Sequence, residues 1–398
     1  MTLIKIIFVG VLIIFFIYLI NKIFLLRQLK ENQTIFTDAK FQGSIAPLDM
    51  IRGQIPQHEG EGDREGMLNL FGSPSMASEF SNIAKSSVIP NISNTSNTGL
   101  LLKQYCIKAS YNSALTGTYV NLDMVKYVLS RGCRFLDFEV YSFDGIPYVA
   151  YSTDNTFSSI KTLNKIPLQD VFHTIVIYGF IGPSPNPSDP LFVHLRVKTN
   201  NNDLFSKIAT IVDNTLKSKL YKGLINHGTH LSDIMGKIVL IIDKKISPSY
   251  QHNAPCSSSC VASKTTLTMN TGCPTCFNLK NYVNAESGTA FMRIYNYSYI
   301  TEQAFTSPEI LDDGINTDVT SMKIVVTDVG ANFVGVLQNP TYYYLPMNYG
   351  AQIVAYPFYQ SDVYLNQYEQ AFADAKSAFV PLSNMLGYLN KITSSLQG

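Results

Sequence analysis

Tryptophan is absent, histidine occurs only six times, and Asp, Glu, Lys and Arg together make up 15% of the 398 residues. The formal net charge of +1 provides no global field to draw in nucleic acid. Six histidines leave few side chains whose ordinary pKa suits proton transfer near neutrality. Cysteine is sparse as well: Cys106 and Cys133 fall in apolar segments as buried thiols, and the other four are clustered. What the chain has in excess is apolar and aromatic, with 46% hydrophobic residues, enough for one large folded domain with accessory segments. Asn, Ile, Lys and Tyr are plentiful, the flavour of an AT-rich genome.

The first segment carries the clearest physical signal. Ile6 to Ile20 contains no charge. Leu3 to Leu26 supplies the ~20 largely apolar residues that a spanning helix needs, once Lys5 and Lys22 snorkel. No small-x-small cleavage site follows, which argues against a signal peptide. Lys22, Arg27 and Lys30 flank the C-terminal side and lean toward a cytosolic body. Residues 1–30 are therefore read as a single-pass transmembrane anchor. Residues 31–99 show little periodicity and read as an extended or flexible arm.

From Leu100 the pattern changes. Lys126 to Ser142 reads as a helix end, a Gly turn and an apolar strand. IPYVAYS is a second short strand, and a helix follows at LQDVFHTIVIYGF. Asp189 to Thr199 is a strand, and Phe205, Ile208, Ile211, Val212 and Leu216 mark an amphipathic helix. Gly236 to Lys245 has an apolar strand at its centre. AFMRIYNY, SMKIVVTDV, FVGVLQ and AQIVAYPFY are later strands, and VYLNQYEQAFADAKSAFVPLSNMLGYLNKI closes the chain as a helix broken near Pro381. Strands alternating with helices point to α/β architecture, either a parallel barrel or a doubly wound sheet.

Several of these segments resemble the phosphoinositide-specific phospholipase C family. Ser110-Tyr111-Asn112-Ser113 resembles its Ser-His-Asn-Thr motif. Gly132-Cys133-Arg134 is followed by Asp137 and Glu139 on one strand face, as in the family. GIPYVAYSTD is similar to the strand bearing the second catalytic histidine, with Tyr151 in its place. Arg196 stands where a glutamate is expected, and Gly236-Lys237-Ile238-Val239-Leu240 matches a further strand. Arg293-Ile294-Tyr295 and Asn348-Tyr349-Gly350-Ala351-Gln352 resemble motifs of the second half. The resemblance implies a TIM-type (β/α)8 barrel of the PLC-like phosphodiesterase kind, preceded by the transmembrane helix. Its first half would span 100–248, a Cys-rich insertion 249–285, and its second half with the C-terminal helix 286–398.

The resemblance also implies that the chemistry has been lost. The family uses one histidine as base and one as acid, and both positions are tyrosine here, Tyr111 and Tyr151. Tyrosine titrates near 10, and losing one such group costs about 10²–10⁴-fold. The family's calcium ligands survive as Asn112, Asp137 and Glu139, but Arg196 replaces the last one, so calcium is not expected. Metal-independent relatives also carry an arginine there. His194 should face the same way as Arg196, deeper in the barrel. His173 reads as helix packing, His227 and His230 as loop residues, and His58 as part of the arm. Lys237, Arg293 and Tyr295 are the candidates for binding a phosphoinositide or another anion.

Cys256, Cys260, Cys273 and Cys276 form C-x3-C-x12-C-x2-C. This spacing points to a structural zinc, with two disulfides as the alternative in an oxidising compartment; His252 is a reserve ligand. Sequons at Asn32, Asn91, Asn94 and Asn296 would carry sugar only in a luminal body. The reading favoured by the sequence is a membrane-anchored, inactive PLC-like barrel that touches neighbouring proteins of an assembly. It would suit a minor capsid or virion protein at the inner membrane of a large DNA virus. An active membrane-bound phosphodiesterase and a non-catalytic phosphoinositide or anion binder are the alternatives.

Overall fold

The computed structural model describes residues 75–85, 91–152, 157, 159–182, 184–251, 277–301, 310–311, 314–315, 321–328 and 339–397. The expected anchor at residues 1–30, the cysteine cluster and the FVGVLQ strand lie outside the described residues. Among the described residues, no helix is long and apolar enough to cross a membrane.

The strands are β1 (Tyr105–Ser110), β2 (Phe135–Phe143), β3 (Ile146–Val149), β4 (Ile166–Pro167), β5 (Leu191–Lys198), β6 (Ile238–Asp243), β7 (Ala285–Ser287), β8 (Met292–Asn296), β9 (Ile310–Leu311), β10 (Gly314–Ile315), β11 (Met322–Val326), β12 (Ile353–Tyr356) and β13 (Phe379–Pro381). Eight of them form a parallel path in the order β7-β6-β5-β2-β1-β12-β11-β8. This is a nearly closed α/β barrel. The two ends of the path, β7 and β8, follow one another across a tight turn in which the Gly288 amide donates to Met292 O at 2.8 Å. β3 and β4 extend β2 as an antiparallel flap, and β13 pairs antiparallel with β1. The helices are α1 (Met76–Lys85), α2 (Leu122–Ser130), α3 (Leu168–Phe180), α4 (Asp203–Thr215), α5 (Tyr297–Thr301), α6 (Tyr344–Tyr349), α7 (Val363–Asp374) and α8 (Leu382–Gln397).

Strand alternation sorts the side chains into two cores. Leu136, Phe138 and Val140 of β2, with Leu191, Val193, Leu195 and Val197 of β5, turn outward under the helices. Phe135, Phe192, Val239, Ile241 and Phe379 fill the inside. Moving up β2 and β5, the inward positions change from apolar to ionic: Phe135, Asp137 and Glu139 on one strand, Phe192, His194, Arg196 and Lys198 on the other. All eight residues of β5 are buried, charges included. The outer layer has its own ionic group. Lys108 Nζ donates to Glu369 Oε1 at 3.1 Å, and the Arg131 Nε donates to the same oxygen at 2.9 Å.

Three expectations need correction. Part of the supposed arm is packed on the barrel. Ile83 of α1 and Ile92 join the outer core, Glu79 accepts from Thr116 Oγ1 (2.6 Å), and Thr95 bonds both oxygens of Asp189 (2.8 and 3.0 Å). Packed structure is thus present at Met76–Lys85 and at residues 91–99, ahead of Leu100. This packing also accounts for the Gly of Gly-Cys-Arg: Gly132 has φ +79, and a Cβ there would lie 2.9 Å from Ile92. The C-terminal segment is two helices separated by β13, not one kinked helix, because Phe379–Pro381 finds a free edge on β1. His173 is exposed; α3 packs through Val171, Phe172 and Ile175 instead.

Candidate functional site

The carboxyl ends of β1, β2 and β5 converge on one guanidinium. Arg196 grips Asp137 in bidentate fashion, Nε to Oδ1 at 2.9 Å and Nη2 to Oδ2 at 2.6 Å. Its Nη1 donates to Glu139 Oε1 at 2.6 Å, and Nη2 also reaches Asn112 Oδ1 at 2.9 Å. The Tyr111 ring covers the guanidinium, with Cζ 4.7 Å from the ring centroid. Asn112 takes a left-handed conformation, φ +41, which aims its backbone amide at Asp137 Oδ2, 3.1 Å away. His194 Nδ1 lies 2.8 Å from Asp137 Oδ1, and its Nε2 lies 2.8 Å from Ser287 Oγ. Each oxygen of Asp137 thus has two partners, which fills the lone-pair sites of a carboxylate. The second oxygen of Glu139 accepts from Tyr141 OH (2.6 Å), Lys198 Nζ (2.9 Å) and the Ser152 amide (3.3 Å).

The electrostatics follow from this geometry. Burial alone would raise the Asp137 carboxyl; the Arg196 charge and the His194 hydrogen bond override it and hold the group well below the usual carboxylate range. Burial pulls the Arg196 guanidinium down, but Asp137, Tyr111 and Glu139 more than compensate, so it stays charged. Burial lowers Lys198, with Glu139 opposing. Tyr111 is pushed well above its ordinary value by burial, only partly relieved by Arg196. Burial and Glu139 push Tyr151 up to about 12. Both shifts favour the protonated phenol at neutral pH.

The arrangement does not fit calcium. That ion takes about six to eight oxygens, whereas here the available oxygens of Asn112, Asp137 and Glu139 point at a guanidinium, which offers none. Asp137 and Glu139 are fully buried and Arg196 is 5% exposed, so the centre is filled by its own cation.

Tyr111, Asn112, Asp137, Glu139 and Arg196 are thus brought together, with Tyr151 nearby. Lys237, Arg293 and Tyr295 are not. Lys237 is exposed just before β6, at the opposite end of the barrel from the site. Arg293 is exposed, and Tyr295 packs on the outer core beside Tyr299, because Met292 and Ile294 take the inward positions of β8. Among the described residues no cluster of His, Cys, Asp and Glu could hold a metal. Sequence reasoning misses Tyr141, Lys198 and Ser287. The first two are legible in principle, each lying two residues beyond a recognised inward position.

Residues 100–245 match the family model described as phosphatidylinositol-specific phospholipase C, X domain. No curated protein matches the chain. Among solved structures, PLC21 of L. pealei superposes with a TM-score of 0.50 at 16% identity, over 72% of this chain and 38% of its own. PLC21 of S. officinalis gives 0.49 at 16% identity over 73% and 38%. A calcium-dependent phosphoinositol-specific phospholipase C from Pseudomonas sp. gives 0.41 at 11% identity over 74% and 100%. The chain therefore spans well under half the length of the two PLC21 chains, and at such identities the structural likeness concerns the fold. Residues 100–245 are thus similar to the phosphatidylinositol-specific phospholipase C X domain, and the fold around them is a barrel of the PLC kind.

Proposed function

We propose that this chain is a non-catalytic PLC-like barrel that serves as a structural or scaffold body at a membrane. The observation that carries the reading is the saturation of Asp137 and Glu139 by Arg196, Lys198, His194 and Tyr141. A phosphodiester cleavage of the family's type needs a base, an acid and room for an inositol ring against them. Here the two positions are tyrosines with raised pKa values, and the acidic pair is sealed by its own counterions. The apolar run at Leu3 to Leu26 would hold the body to a membrane, and a zinc on Cys256, Cys260, Cys273 and Cys276 would staple the insertion. Such a body would meet neighbouring proteins of an assembly, as a minor capsid protein does.

The test is hydrolysis of phosphatidylinositol by the full chain, with and without calcium. No turnover is expected, nor any after the double substitution Y111H/Y151H, because Arg196 still fills the pocket. Turnover that disappears on changing His194 or Tyr111 would overturn the proposal and make the chain an enzyme.

A further inference from the structure

The end of the barrel opposite the sealed centre carries an unmatched charge. It is the amino end of the strands, where the connections into β5, β6 and β7 run. The C-terminus of α3 reaches it, since a Cβ on Gly179 would lie 3.1 Å from the side chain of Leu191, the first residue of β5. The segment after α4 is fixed there too: the Tyr221 amide donates to Ile238 O at 2.8 Å, and the Ile225 amide to Asn284 O at 2.9 Å. These connections hold the two most exposed large apolar side chains among the described residues, Ile181 (77%) and Leu224 (70%). Ile177, one helical turn before Ile181, is also exposed.

Each apolar point has lysine beside it. Lys219 Nζ stands 5.2 Å from the ring centroid of Phe180, the neighbour of Ile181, and Lys222 is exposed two residues before Leu224. Lys237 and Lys280 are exposed where the chain enters β6 and β7. The carboxylates at this end do not answer them. Asp189 is fully buried and bonded to Thr95 and Asn186. Asp213 holds Lys217 at 2.8 Å and the Tyr282 hydroxyl at 2.8 Å. Among the described residues of these connections, that leaves the exposed Asp233 against Lys219, Lys222, Lys237 and Lys280, in a chain whose net charge is only +1.

We infer that this face docks on the headgroups of an anionic membrane, with Ile181 and Leu224 entering the interface and the lysines set against acidic lipid. A bilayer interface takes up single protruding aliphatic side chains flanked by cations, whereas a folded partner is met through a continuous apolar core. The inference rests on the membrane-body reading above and adds which end meets the membrane; the barrel mouth then points away from it.

The experiment compares amide hydrogen exchange of the full chain on vesicles of phosphatidylcholine alone and with about a third phosphatidylserine. The apolar run at Leu3 to Leu26 would hold the chain to both alike, so the difference isolates the face. Slower exchange is expected at residues 181–182 and 222–228 on the acidic vesicles only, with residues 341–344, beside the carboxyl end of β12, unchanged. At about fivefold in binding for each lysine near an acidic leaflet, K222Q/K237Q should weaken docking about 25-fold and remove the protection. Both lysines are exposed, so the melting temperature of this variant should stay at the wild-type value. L224S should weaken the protection with every charge in place. Phosphatidylinositol added to the same vesicles reports turnover separately, so the scaffold reading can fail while the face is protected, and the reverse. No protection, equal protection on both vesicles, protection at 341–344 instead, or protection that survives K222Q/K237Q overturns the inference. Protection by soluble polyglutamate and not by acidic vesicles overturns it too, and assigns the face to an acidic protein.

Discussion

Replacing Arg196 by methionine keeps much of the volume and removes the charge. Asp137 and Glu139 would then sit fully buried with Lys198 as the one remaining ammonium in hydrogen-bond contact, and that on Glu139 alone. Removing one partner of a buried pair typically costs about 3–5 kcal/mol, because it strands the other charge. At about 2 °C per kcal/mol for a body of this size, the melting temperature should fall by ~6–10 °C at pH 7.5. The pH dependence distinguishes this account from simple loss of packing. In the wild type the Asp137 carboxyl titrates below its unfolded value. It therefore contributes stability that is present above about pH 4 and lost as pH falls toward the folded pKa. In the variant, burial acts without the guanidinium and raises the folded pKa above the unfolded one. The variant then gains stability as pH falls, and the gap between the two proteins narrows. Thermal unfolding of both at pH 7.5 and pH 4.5 measures it. An equal gap at the two pH values would show that Arg196 acts by filling space and would refute the reasoning.

Millimolar calcium should leave the melting temperature of the wild type unchanged, since a ligand stabilises only what it binds; a rise of several degrees would mean that Arg196 can be displaced. Glu369→Gln should lower stability by about 3–5 kcal/mol in denaturant unfolding, because Lys108 and Arg131 lose their shared buried counter-charge. Burial raises the Glu369 carboxyl, but Lys108 and Arg131 hold it below the usual range, so its contribution is full above about pH 4.3 and declines in acid. Glu79→Ala should release α1 from Thr116, Thr118 and Tyr119, speeding amide exchange in residues 76–85 while the melting temperature shifts little. Burial pushes the Cys106 and Cys133 thiols up to about 12; both should resist a thiol reagent in the native chain and react once it is unfolded.

The strand alternation of FLDFEVYSF and LFVHLRVK determined which residues face inward, so the grouping of Asp137, Glu139 and Arg196 was legible in the amino-acid order itself. Motif order along residues 100–245 carried the resemblance to the phosphatidylinositol-specific phospholipase C X domain, and the tyrosines at residues 111 and 151 are read directly from the amino-acid order. These are local or order-based signals, carried by identity and a two-residue period. The rest depended on which surfaces meet. Nothing local in PMASEFSNIAK or in Asn91–Thr95 announces that they pack on the barrel; Ile83, Ile92, Glu79 and Thr95 find partners far along the chain. Phe379–Pro381 is a strand only because β1 offers an edge. Arg293 and Lys237 look like anion ligands in sequence, but strand phase on β8 and position at the start of β6 place them away from the mouth. The same tertiary geometry decided that Arg196 is saturated rather than available, since it donates four hydrogen bonds to acceptors at the ends of two neighbouring strands, β1 and β2, and no sequence period specifies the distance between strands.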